Sequence, residues 1–89
     1  KDEVFEGTVS GVTGWGFYVQ LPNTVEGLVH VNSLLDDYYD FDEENHQLTG
    51  RDFNRTFRLG DKVKVMVADT DIMNKTIDFI LFDKGYGRR

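Results

Sequence analysis

Apolar and polar residues alternate along most of this chain. The alternation has the two-residue period of strands, not the 3.6-residue period of helices. In 5–12, Phe5, Gly7, Val9 and Gly11 share one face, and Glu6, Thr8 and Ser10 the other. The small residues predict a strand that bends sharply or lets another backbone approach closely. Thr13-Gly14 then predicts a turn or bulge. A second strand follows over 16–21, with Phe17, Val19 and Leu21 inward and Tyr18 and Gln20 outward. Pro22-Asn23 ends it, because proline has no amide hydrogen to give a ladder. A third strand at 27–31 places Val29 and Val31 on one face and Leu28 and His30 on the other. Leu59-Gly60-Asp61 predicts a turn into the clearest strand, 62–67, with Val63, Val65 and Val67 inward and Lys62 and Lys64 outward. A hairpin connection at 71–74 leads to the last strand, 75–82, with Ile77, Phe79 and Leu81 on one face.

Asn32 or Ser33 is placed to cap a short helical turn holding Leu34 and Leu35. The stretch 36–60 has neither period. A connection of that length in a compact domain is functional or packs on itself. It carries five aromatics, Tyr38, Tyr39, Phe41, Phe53 and Phe57, and three arginines, Arg51, Arg55 and Arg58, which a solvated loop rarely does. Five strands in an open sheet leave two exposed edges, and closure into a barrel removes them. The prediction is an all-β fold: a five-stranded antiparallel barrel of the oligonucleotide-binding type. A short helix and a long loop join its third and fourth strands. A small β-sandwich is the alternative. The domain is expected over 1–84, with 85–89 a mobile tail.

At 89 residues the chain is one domain. Hydrophobic residues at 39% are enough for a folded core. The absence of cysteine excludes disulfides and thiolate metal sites, and fits a reducing compartment. No apolar run approaches the roughly 20 residues of a membrane-spanning helix, so no membrane partner is expected. The chain begins Lys1-Asp2-Glu3, without methionine, and reads as a piece of a longer protein. Its net charge of −6 argues at first against a polyanionic partner. The distribution changes that: residues 36–44 alone carry −6, whereas 45–89 carry +3. With a screening length of about 8 Å in physiological salt, local patches decide contacts.

Catalysis by this chain is not expected. His30 and His46 are its two histidines, and neither a nucleophile elbow nor a phosphate-binding glycine loop is present. The acidic run 36–44 lacks the spacing of a calcium-binding loop. It reads as a solvated acidic surface pinned by its own aromatics, or as a docking surface for another domain. The aromatic and basic residues are more informative. The set is Trp15, outward Tyr18 and His30, outward Lys62 and Lys64, and Asp71 and Lys75 at the last hairpin; if the second and third strands pair, Tyr18 and His30 share one outer face. Flat rings there stack on unpaired bases, and lysines neutralise phosphates. Equally, Trp15 could be half core, with Tyr18 and His30 ordinary surface residues.

The order and spacing of several motifs resemble the S-one RNA-binding domain. They are Gly7-Thr8-Val9, Gly14-Trp15-Gly16-Phe17-Tyr18-Val19, Glu26-Gly27-Leu28-Val29-His30-Val31-Asn32-Ser33-Leu34, Leu59-Gly60-Asp61-Lys62-Val63-Lys64-Val65, and Asp71 with Asn74-Lys75. The resemblance runs over about 4–82. Asp36-Asp37-Tyr38-Tyr39, with Phe57-Arg58-Leu59-Gly60-Asp61, is most similar to the C-terminal S-one domains of the ribonuclease R family of bacterial 3′-to-5′ exoribonucleases. It implies that single-stranded RNA is the partner. It also implies that catalysis and its magnesium lie in a separate domain, that this piece holds no cofactor, and that it works as a cytoplasmic monomer beside the other domains of its parent. It places RNA contacts at Trp15, Tyr18, His30, Asp71 and Lys75. Lys75 stands where the family commonly has arginine, and so lacks the planar fork. Lys64 joins the set on strand parity alone.

Overall fold

The computed structural model describes residues 3–82. The expected tail at 85–89 lies outside them. Eight strands are present: β1 Val4–Thr13, β2 Gly16–Gln20, β3 Glu26–His30, β4 Tyr39–Asp42, β5 Gln47–Gly50, β6 Thr56–Arg58, β7 Lys62–Asp71 and β8 Thr76–Phe82. The predicted barrel is there, closed in the order β1-β2-β3-β8-β7, with β7 returning to β1. Every pairing in it is antiparallel except β3 with β8, where Leu28 meets Asp78 and Val29 meets Phe79 in parallel. Phe17, Val19, Val29, Val65 and Phe79 fill the interior and are almost wholly shielded from water.

Two details of the barrel differ from the alternation. The register of β1 slips between Val9 and Gly11, a bulge that turns Val12 into the core and leaves Gly11 on the outer face. A second bulge between Val67 and Asp69 bends β7, which runs on to Asp71. Val67 is therefore only half-buried. The helical turn comes earlier than expected. It is a single 3-10 turn over Val31–Ser33, with no side-chain cap; Leu34 just beyond it is buried, and Leu35 is exposed.

The stretch 36–60 is not an irregular loop. It folds into a second antiparallel sheet, β4-β5-β6. Its strands are three or four residues long; β5 and β6 bury one side chain each, Leu48 and Phe57, and β4 only part-buries its own, too few to register as a period. Leu48 and Phe57 are buried to the same degree as the barrel core. Phe57 stacks on Phe17 at 4.6 Å between centroids and meets Tyr39 at 5.5 Å. The Arg55 guanidinium lies over the Phe57 ring, 4.9 Å from its centroid. Backbone bonds from Gly60 N to Val9 O and from Val9 N to Asp61 O tie this cap to the β1 bulge.

Cap and barrel thus share one core. Phe57→Ala is expected to lower the free energy of unfolding by about 3–5 kcal/mol. Guanidinium denaturation monitored at Trp15 measures it. A loss below about 1 kcal/mol would mean that the cap folds independently of the barrel.

Candidate nucleic-acid interface

The outer face formed by β2, β3 and β8 is built on one row of paired residues. Gly11 on β1 pairs with Tyr18 on β2, Tyr18 with Leu28 on β3, and Leu28 with Asp78 on β8. Gly11 presents no side chain there; a Cβ at that position would sit 3.4 Å from the Tyr18 ring, at ordinary contact distance. Half-buried Leu28 extends the apolar floor from Tyr18 toward β8. His30, two residues further along β3, pairs with Gly16, and its Nε2 lies 3.2 Å from Asp78 Oδ1. Both side chains remain about half exposed, at 48% and 42%.

Tyr18, Leu28, His30, Lys75 and Asp78 line one open groove of about 430 Å³, with Glu26 on its rim. Lys75 is held there by the β7–β8 turn. Asp71 accepts hydrogen bonds from the Asn74 amide at 3.2 Å and its Nδ2 at 2.8 Å, which closes the turn. Lys75 follows with a φ of 55°, a left-handed conformation uncommon outside glycine. Among the described residues Lys75 has no ion-pair partner. The two carboxylates beside it are engaged: Asp78 with His30, and Glu26 as acceptor of the Ser10 hydroxyl. A flat ring, an apolar floor, an imidazole and an unpaired ammonium suit stacked bases and a phosphate backbone.

The other expected residues sit differently. Trp15 is exposed, at 58%, in the β1–β2 turn, and its carbonyl accepts the Val31 amide at 2.9 Å. That anchors it at the His30 end of the face, outside the groove. Asp71 is adjacent to the groove but its carboxylate serves the turn. Lys64 is elsewhere: it pairs with Glu6 and Phe82 and lines a separate depression with Lys62 and Arg55. Leu28 and Asp78 were not singled out from the sequence. Leu28 was already placed on the His30 face by alternation, whereas Asp78 depends on a parallel register that no local pattern encodes.

Four carboxylates of the acidic run, Asp36, Asp37, Asp40 and Asp42, are engaged within the cap. Asp36 accepts the Tyr39 hydroxyl and lies 3.6 Å from Arg55 Nη1. Burial, with the Asp36 charge beside it, pushes the Tyr39 phenol well above its ordinary range. Asp40 takes two bonds from Arg51, at 2.8 and 3.1 Å. Asp37 accepts the backbone amides of Tyr38, Asp52 and Phe53 at 2.7–3.1 Å. Partial desolvation raises the Asp37 pKa, but those amides and nearby Arg51 outweigh it and leave the carboxyl below its usual value. Among the described residues no group of three or more histidine or acidic side chains has the geometry to hold a metal ion.

The S1 RNA binding domain model matches residues 1–81. The chain belongs to that family. It is 47% identical over 79 residues to ribonuclease R of Escherichia coli K12, covering 88% of this chain and 10% of that protein. It is 46% identical over 83 residues to ribonuclease R of Aquifex aeolicus, covering 92% and 12%. It thus spans about a tenth of the length of these curated relatives. RNase R of Mycoplasma genitalium, solved both without ligand and in complex with ribose methylated single-stranded RNA, superposes with a TM-score of 0.84 at 26% identity, over 90% of this chain and 13% of that one. The barrel is accordingly the oligonucleotide-binding fold of an S-one domain.

The carboxyls of Asp37, Asp40, Asp42 and Asp71 are all held below the ordinary aspartate range in the fold. For Asp40 the chief cause is the Arg51 bond, for Asp42 the Asn45 side chain, and for Asp71 the Asn74 side chain. A carboxyl with a lower pKa folded than unfolded stabilises fully above about pH 5, and loses that contribution as pH falls through its folded value. Denaturation midpoints from pH 7 to 3 should hold to about pH 5 and then drop, and Asp37→Asn should flatten the drop. An identical acid profile for Asp37→Asn would contradict this assignment.

Proposed function

We propose that this chain is the single-stranded RNA-gripping module of a ribonuclease R-like 3′-to-5′ exoribonuclease. It holds RNA on the β2–β3–β8 face and feeds it to a catalytic domain elsewhere in the longer protein. Magnesium chemistry belongs to that domain in this reading, and the setting is cytoplasmic, with the module itself a monomer. The observation that carries the proposal is the gathering of Tyr18, His30 and Lys75, from both halves of the chain, around one groove. Tyr18 supplies the stacking surface, Leu28 the apolar floor, and Lys75 the phosphate contact, with Trp15 as a second ring at the far end. Kinship with ribonuclease R supports the parent activity, and the RNA complex of the Mycoplasma protein supports the ligand class.

A net charge of −6 sets the strength of the grip. Few cations face the RNA, so affinity is modest and the salt slope shallow. Tyr38 and Phe53 are exposed on the cap, and Leu35 just before it, and they favour a second use of that surface against another protein domain.

Tyr18→Ala should weaken binding of a short single-stranded RNA by about 1–3 kcal/mol while the amide spectrum stays folded. Lys64→Ala, on the other side of β1, should change it far less. Titration calorimetry on both variants is the test. Unchanged affinity for folded Tyr18→Ala would remove this face as the RNA site.

A further inference from the structure

Asp78 sits on the same row as Tyr18 and Leu28, in the floor of the groove, about half exposed. A carboxylate there repels a polyanion, so its presence asks for a compensating role. Among the described residues its side chain makes one hydrogen bond, with His30 Nε2 at 3.2 Å. We propose that Asp78 is a positioning residue for RNA binding, holding the His30 ring by Nε2 so that Nδ1 is the nitrogen offered to the RNA. The inference rests on the RNA-face reading above.

A carboxylate can only accept a hydrogen bond, so Nε2 carries the hydrogen in this contact. In the neutral ring Nδ1 is then an acceptor, able to take a hydrogen from a base amine or a hydroxyl. In the charged ring Nδ1 becomes a donor and can meet a phosphate. Either way one ring orientation and one free nitrogen are presented. The rest of His30 is already fixed. Its carbonyl accepts the Ser33 hydroxyl at 2.7 Å, and its strand is paired with Gly16 on one side. The side-chain torsions are the freedom left, and Asp78 removes it. Closure of the barrel places the two together across 48 residues of sequence. No pattern of nearest neighbours would put them in contact.

Asn at position 78 keeps an oxygen acceptor without the charge, and Leu keeps bulk without an acceptor. Wild type, Asp78→Asn, Asp78→Leu and His30→Ala are titrated with one short single-stranded RNA. In parallel, ¹⁵N-histidine spectra without RNA report the His30 tautomer, with His46 as the internal reference. Asp78→Leu should lose about three- to tenfold in affinity, the scale of one hydrogen bond. Its His30 signal should move from the Nε2–H tautomer to a mixture. Asp78→Asn should restore most of both. Wild-type affinity with an unchanged tautomer in Asp78→Leu overturns the proposal, as does a loss in Asp78→Asn equal to that in Asp78→Leu. Should Asp78→Leu fold poorly, Asp78→Ala takes its place with the same outcomes. If His30→Ala and Tyr18→Ala both bind as wild type, the RNA-face reading fails instead, and the tautomer spectra still test whether Asp78 sets the ring.

Discussion

The short parallel contact between β3 and β8 closes the barrel, and the proposed site depends on it. It pairs Leu28 with Asp78 and Val29 with Phe79, and little else. Gly27 makes it feasible: a Cβ there would meet the Phe79 ring at 2.7 Å and the Ile77 carbonyl at 2.8 Å. With glycine in place, Phe79 seats in the core against Val29 and β8 comes within hydrogen-bonding distance. The hydrophobic core and the outer face are therefore set by one event. Inside, Phe79 fills the barrel; outside, Lys75 and Asp78 arrive beside Tyr18 and His30.

The cap extends the same core. Phe57 stacks on Phe17, and Leu48 is as inaccessible as the barrel valines. Four carboxylates of the acidic run that dominates the formal charge are engaged within the cap: Asp40 by Arg51, Asp36 by Arg55, Asp37 by backbone amides and Asp42 by Asn45. This bears on how an acidic protein could engage RNA. Charges paired inside the cap project a weaker field than their number suggests, and screening confines them further. The two carboxylates on the groove side are likewise engaged, by Ser10 and His30. Lys75, the phosphate contact in the proposed site, has no competing ion-pair partner among the described residues.

The barrel was legible because its strands alternate over five or more residues and bury one face. Phe17, Val19, Val29, Val65, Phe79 and Leu81 are all inward as the period requires. The cap was not legible. A strand such as Gln47–Gly50 buries Leu48 and a glycine, and two positions do not make a period. The β1 bulge was hidden for a similar reason: glycine at 11 reads equally well on either face, and only the pairing with Tyr18 assigns it outward. Of the site residues, parity gave Tyr18 and His30 their outward direction. It gave Lys64 the same direction, but a barrel has outward faces all around, and parity does not say which one. Register between strands far apart in sequence decides that, and it separates Lys64 from the groove while bringing Asp78 into it.

The proposed function requires that the β2–β3–β8 face receive single-stranded RNA. The most direct test is an amide and aromatic NMR titration of the domain with a short single-stranded RNA at two salt concentrations. Shifts are expected to cluster on Tyr18, Leu28, His30, Lys75 and Asp78, to reach Trp15, and to weaken as salt rises. Shifts centred on the cap around Tyr38 and Phe53, or none at millimolar RNA, would contradict it.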